Sequence, residues 1–148
     1  MREDLDDLDR QLIAALRRNA RLTNLELSEI VPLSHSAISR RIKRLEETGV
    51  ILGYRAIVDR SALGEGIRAF AAVDRQPHVS AVDLARSLAG LDQVVGCWIV
   101  SGRSDVVVEV TARDIADFSA FMVGTVQHLE GIAATSSTFI LEEVKAAH

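Results

Sequence analysis

The sequence predicts an α+β chain, a winged helix-turn-helix followed by a ferredoxin-like βαββαβ domain, on three observations. Two short helices with separate start signals lie only about three residues apart, across residues 31–33, which is helix-turn-helix spacing. After Gly49 the run 50–58 is rich in β-branched residues and reads as a strand. From Ile67 onward, strand-like and helix-like hydrophobic periods alternate in the order βαββαβ.

The first element is an amphipathic helix. Leu5, Leu8, Leu12 and Leu16 recur at helical spacing behind an acidic first turn, where carboxylates suit the positive end of the helix dipole. The second helix starts at Thr23, whose hydroxyl is placed to accept the Glu26 N–H while Glu26 reaches back, with Leu22 and Leu27 as a hydrophobic staple. The third starts at Ser34, stapled by Leu33 and Ile38, and ends near Thr48 with Gly49 as its C′ residue.

At about 100° per residue, Ile38, Ile42 and Leu45 form an apolar stripe on the third helix, and Ser36, Ser39, Arg40 and Lys43 lie roughly opposite. Arg41 and Arg44 flank that polar face and fall mainly to phosphate or to acidic neighbours, and no acid follows before Glu46, so the helix itself reads as an unpaired basic cluster. Such a cluster suits a phosphate backbone, and short serines near the helix start, Ser34 among them, let the helix approach base edges in a major groove. His35 stands at the same end, either touching DNA or as a plain surface residue. The competing reading is a solvated helix of a bundle. Capping, turn length and facing agree instead on double-stranded DNA as the partner.

With 148 residues and 48% hydrophobic content the chain has enough apolar mass for an ordinary core, as one domain or two small ones. The net charge of −4 argues against nucleic acid only until it is divided. Residues 1–60 carry 11 basic against 10 acidic side chains (+1), and residues 61–148 carry 6 against 11 (−5). The acids Glu3, Asp4, Asp6, Asp7 and Asp9 therefore mask the basic helix in the sum. The start of the chain has no apolar leader-like region and no run is long enough to span a bilayer, so a cytoplasmic protein without a membrane partner is expected. The single cysteine, Cys97, sits in an apolar run and reads as a buried strand thiol. His35, His78, His128 and His148 show no metal-ligand spacing, and neither a phosphate loop nor a nucleophile motif is present, so no enzyme activity, metal or cofactor is expected.

In the second half the expected elements are strand 68–75, helix 79–89, strand 93–100, strand 105–112, helix 115–129 and strand 132–144. Ser80 with Asp83, and Asp114 with Asp117, are the expected caps. Ile115, Phe118, Met122, Val126 and Leu129 form the core stripe of the second helix. Both helices cover one sheet face. On strand 105–112, Val106, Val108 and Val110 point one way and Val107, Glu109 and Thr111 the other, so the second face is partly apolar and dimerisation is the simplest way to bury it.

Both halves, in this order, resemble the Lrp/AsnC (feast/famine) family of transcription regulators over nearly the whole chain. The resemblance rests on LDDLDRQLIAALRRNAR (5–21), LSHSAISRRIKRLEETGVILGY (33–54), VSGRSD (100–105) and FILEEVK (139–145). It implies a DNA-binding domain over 1–58, a linker over 59–66, and an effector-binding and oligomerisation domain over 67–148. It also implies dimers that assemble into tetramers or octamers, with an amino-acid effector between dimers. The family's recognition helix falls on 35–48. Its glycine-containing loop falls on Ser101, Gly102, Arg103, Ser104 and Asp105, where Gly102 permits close backbone approach and Asp105 suits an ammonium group. An ordinary hairpin turn is the competing reading of that loop. Thr135 and Ser137 on the last strand would complete the pocket from a neighbouring subunit. The chain departs from the family at Ser104, where many relatives carry an aromatic residue, and at Pro32, where the family usually has Gly.

The function expected is a sequence-specific DNA-binding transcriptional regulator responsive to an amino acid or related metabolite. A weakly specific architectural DNA-binding protein and a metabolite-binding or enzymatic ferredoxin-like module are the alternatives.

Overall fold

The computed structural model describes residues 4–144 and divides into two compact units that meet between Ile57 and Val58. Glu3, Lys145 and His148 lie outside the described residues.

The first unit contains α1 (Asp7–Arg18), α2 (Asn24–Ile30) and α3 (His35–Glu47). Leu12, Ala15 and Leu16 of α1, Leu27 of α2, Val31 and Ile38 of α3 form its buried centre, with Leu8, Leu22, Leu33, Ile42 and Ile51 packed around it. Caps set the helix starts. Thr23 accepts from the Glu26 N–H while the Glu26 carboxylate accepts from Thr23, and Ser34 accepts from the Ala37 N–H. A cap absent from the expectations starts α1, where Asp6 and Asp9 form a reciprocal capping box. Pro32 proves well suited to its place: Leu33 N–H donates to Val31 O at 2.7 Å, a three-residue turn whose centre needs the φ that proline locks. α3 stops in a Schellman motif, with Gly49 at φ +70°, its N–H on Glu46 O and the Val50 N–H on Leu45 O.

The strand expected over 50–58 does not form: that segment carries no ladder hydrogen bonds, and Leu52, Ile57 and Val58 are exposed. β-branched composition favours a pleated surface but supplies no partner, and no other strand of this unit lies beside it.

The second unit orders as β1 (Ile67–Arg75), α4 (Ala81–Ala89), β2 (Val94–Ile99), β3 (Val106–Ala112), α5 (Ile115–Gly124) and β4 (Ile132–Phe139). The four strands form one antiparallel sheet in the order β2-β3-β1-β4, the ferredoxin-like arrangement. Ala69, Ala71 and Val73 of β1 and Val106, Val108 and Val110 of β3 face Leu84 and Leu88 of α4 and Phe118, Phe121, Met122 and Val126 beyond β3.

Several expectations need correction here. The last helix ends at Gly124, and a separate short 3-10 turn spans Val126–His128. Ile115 is exposed and Phe121 takes its place in the core. β4 ends at Phe139, after which a single bond from Ile140 N–H to Arg68 O still ties the chain to β1. Ser80 and Asp114 cap as expected, but neither acid reciprocates: Asp83 pairs with Arg86, and Asp117 with Arg113, whose guanidinium and N–H outcompete the cap. The 59–66 linker contains a 3-10 turn, Ser61–Leu63.

The second face of β3 is less open than its alternation suggests. Glu109 and Thr111 are buried within the single chain, and Glu109 is held by Arg68 Nε at 2.5 Å with Arg60 at 3.6 Å. Phe70 and Trp98 remain more than a third exposed on that face.

Candidate nucleic-acid interface and effector loop

The third helix separates its side chains as its period requires. Ile38 and Leu45 are fully buried, whereas Ser34, His35, Ser36, Ser39, Arg40 and Lys43 are exposed. Some of these polar groups already have work inside the chain. Ser34 Oγ caps α3 and lies 3.1 Å from Ser36 Oγ, and His35 Nε2 lies 3.1 Å from Ser28 Oγ, joining α3 to α2. Lys43 makes only a 3.7 Å surface pair with Glu47, a contact worth a few tenths of a kcal/mol at about this exposure.

Arg41 and Arg44 leave the unpaired cluster and take acidic neighbours, the alternative to phosphate that the sequence left them. Arg41 Nη1 donates to Asp6 Oδ2 and Asp9 Oδ1, both at 2.7 Å, and Arg44 Nη2 donates to Asp9 Oδ2 at 2.6 Å. The Asp9 side chain is only 1% exposed. These bonds raise the Arg41 guanidinium above its ordinary value, Asp9 contributing most, while the Asp9 N–H and then Arg41 hold the Asp6 carboxyl below the usual range. Sequence reasoning placed Asp6 and Asp9 on the helix dipole alone, since nothing local announces that α1 lands beside α3. A hollow of about 210 Å³ lies among Arg40, Arg41 and Arg44.

In the second unit, the loop between β2 and β3 puts Ser101, Gly102 and Arg103 at the surface and leaves Ser104 and Asp105 half-buried. Gly102 has φ +141°, a backbone state L side chains avoid, and open space where a Cβ would stand. The glycine thus serves the turn's geometry in this chain. Asp105 has a partner that sequence reasoning missed: its carboxylate accepts from Arg75 N–H at 3.0 Å and Arg75 Nε at 3.2 Å. The Asp105 N–H also donates to Val73 O. One residue on from Val73, Asp74 keeps a buried Oδ1 without a hydrogen-bond partner among the described residues. Thr135 is half-buried and Ser137 exposed; they pair with Val73 and Ala71 on β1. They therefore stand one strand beyond the strand that Asp105 abuts, with Ser137 displaced further along it.

Among the described residues no group of three His, Cys, Asp or Glu is placed to hold a metal ion. None of their helices is long and apolar enough to cross a membrane.

Comparison with known proteins agrees with both units. Residues 68–148 match the Lrp/AsnC ligand binding domain, and residues 5–51 match a winged helix-turn-helix DNA-binding domain. The leucine-responsive regulatory protein of Rhizobium meliloti is 35% identical over 150 residues, covering 99% of this chain and 96% of that one. The transcriptional regulator AldR of Mycolicibacterium smegmatis is 32% identical, covering 97% and 85%. A transcriptional regulator of Neisseria meningitidis, solved as its L-Met complex, superposes with a TM-score of 0.92 at 33% identity over 97% of this chain and 94% of that one. The feast or famine regulatory protein of M. tuberculosis, complexed with L-methionine, gives 0.90 at 30% identity over 97% and 96%. A capped helix-turn-helix, a ferredoxin-like sheet and family matches to each place this chain in the Lrp/AsnC family of DNA-binding transcriptional regulators.

Proposed function

We propose that the protein reads double-stranded DNA through the exposed face of α3, acting in the cytoplasm as a homo-oligomer whose DNA affinity an amino acid adjusts. The observation that carries the DNA reading is the division of α3: Ile38 and Leu45 lock one side into the core while Ser36, Ser39, Arg40 and Lys43 are exposed on the other. A rigid, capped helix with short side chains near its N-terminus and cations beyond is what a major groove admits. In a dimer, two such helices related by a two-fold axis favour a pseudo-palindromic site.

The effector reading rests on the two relatives solved with L-methionine and on the chemistry of the β2–β3 loop end. There Asp105 and Asp74 offer carboxylate oxygens, and an amino acid brings an ammonium donor that the Asp74 Oδ1 lacks among the described residues. Ser101, Gly102, Arg103 and Ser104 edge that end, and Thr135 and Ser137 of a neighbouring subunit would close it.

Selection from a random duplex pool tests the first part. A two-fold-related consensus is expected, and Arg40→Ala and Lys43→Ala should weaken binding to it by several-fold; wild-type affinity in both would remove α3 as the reading helix. A thermal-shift series over amino acids tests the second, because a ligand held only by the folded state raises its midpoint. A flat series would leave a DNA-binding protein without an effector.

A further inference from the structure

The Asp9 carboxylate has both oxygens occupied: Oδ1 by Arg41, and Oδ2 by Arg44 and, at 3.3 Å, by the Asp6 N–H. Asp6 binds the same Arg41 Nη1. Two carboxylates and two guanidiniums thus neutralise one another between α1 and α3, with Asp9 sealed from solvent. A buried carboxylate of this kind tolerates its partners poorly when they leave, because an uncompensated charge remains in a low-dielectric site. Neither arginine therefore reaches toward a phosphate without weakening the seam between the helices. Arg40, by contrast, is exposed and has no ion-pair partner among the described residues, and Lys43 has only its weak surface pair.

We propose that Asp9 is a specificity-determining positioning residue: by holding Arg41 and Arg44 against α1, it confines the phosphate-neutralising charge of α3 to Arg40 and Lys43. This rests on α3 being the DNA-contacting helix. Phosphate neutralisation supplies the sequence-independent part of binding, so each cation withheld lowers affinity for the wrong DNA and its salt dependence while base contacts keep their value. The discrimination between a true site and random duplex rises accordingly. The chain's acidic first helix is in this view an active part of the reader, since it decides how many of the four cations of α3 the DNA meets.

The test uses the full chain, a short scrambled duplex and fluorescence anisotropy over a KCl series, reading the slope of log Kd against log salt. Arg40→Gln and Lys43→Gln should each reduce the slope by about 0.9, whereas Arg41→Gln and Arg44→Gln should leave it at the wild-type value. Asp9→Asn should steepen it, by up to about 0.9 for each arginine released, and tighten binding at low salt. A slope reduced by about 0.9 in Arg41→Gln or Arg44→Gln, in protein with native circular dichroism, overturns the proposal. Should those single replacements unfold the domain, the triple replacement Asp9→Leu, Arg41→Met and Arg44→Met substitutes apolar side chains for the buried carboxylate and both guanidiniums, a change that buried ion groups often accept, and leaves the half-exposed Asp6 as the helix cap. A wild-type slope in that variant supports the proposal and one lower by about 1.8 overturns it. Unchanged slopes in Arg40→Gln and Lys43→Gln would remove α3 from the interface, and the proposal with it.

Discussion

The hydroxyl of Tyr54 donates to Glu46 Oε1 at 2.8 Å, tying the segment beyond α3 back onto the helix. Partial desolvation, and then the Glu46 hydrogen bond, push this phenol up to about 12, although half of the residue stays exposed. Because Tyr54 is the only tyrosine in the chain, its ionisation is directly readable by ultraviolet absorbance. The folded pKa lies above the unfolded value of 10.0, so the contribution to stability is complete below that value and is lost as pH rises toward about 12. Glu46→Gln should lower the midpoint only part of the way, partial desolvation being the larger cause; a native midpoint at the unfolded value would refute the contact.

The cap at Thr23 makes an opposite prediction at acid pH. Glu26 accepts from the Thr23 N–H at 2.7 Å and from its hydroxyl at 2.8 Å, and these bonds hold its carboxyl below the usual range. A depressed folded value means the contribution is present above the ordinary 4.5 and disappears as pH falls through the folded value. Thr23→Ala should cost about 1 kcal/mol in urea unfolding at neutral pH. The difference from wild type should shrink in acid, and a pH-independent difference would show that Glu26 takes no part.

Two glycines should respond differently to alanine. Gly49 has φ +70° with nothing near a would-be Cβ, so Gly49→Ala should cost about 1–2 kcal/mol from backbone strain alone. At Gly131, φ is +92° and a Cβ would come within 2.8 Å of both Val79 methyl carbons, so strain and a packing clash add. Thermal unfolding of the two variants should rank Gly131→Ala as the more destabilised, and equal midpoints would contradict the packing.

Cys97 is half-buried on the core side of β2, its Sγ 3.5 Å from Ala85 O, and burial raises its thiol above the ordinary value. Less thiolate and less access both slow attack on a disulfide reagent. The native protein should therefore react much more slowly with an aromatic disulfide than the urea-unfolded chain; comparable rates would place the thiol at the surface.

What sequence reasoning reached was set by neighbours along the chain. Thr23, Ser34, Ser80 and Asp114 cap where expected because the groups involved lie two or three residues apart. Ile38 and Leu45 are buried opposite Ser36, Ser39, Arg40 and Lys43 because a helix repeats its faces every few residues whatever surrounds it. The strand expected over 50–58 failed for the complementary reason: a strand needs a second segment to pair with, and composition does not supply one.

By itself, then, the sequence determined the helix-turn-helix, the βαββαβ order and the exposed polar face of α3, all consequences of local capping and periodicity. Only the tertiary structure decided which charges that face keeps. Asp9 and Arg41 are 32 residues apart, Arg68 and Glu109 41, Arg75 and Asp105 30, and each pair meets because packing apolar stripes brings distant backbones together. Electrostatic partnership follows distance in space, so the neutralised Arg41 and Arg44, and the Arg75 beside the β2–β3 loop, emerge only once the cores have closed.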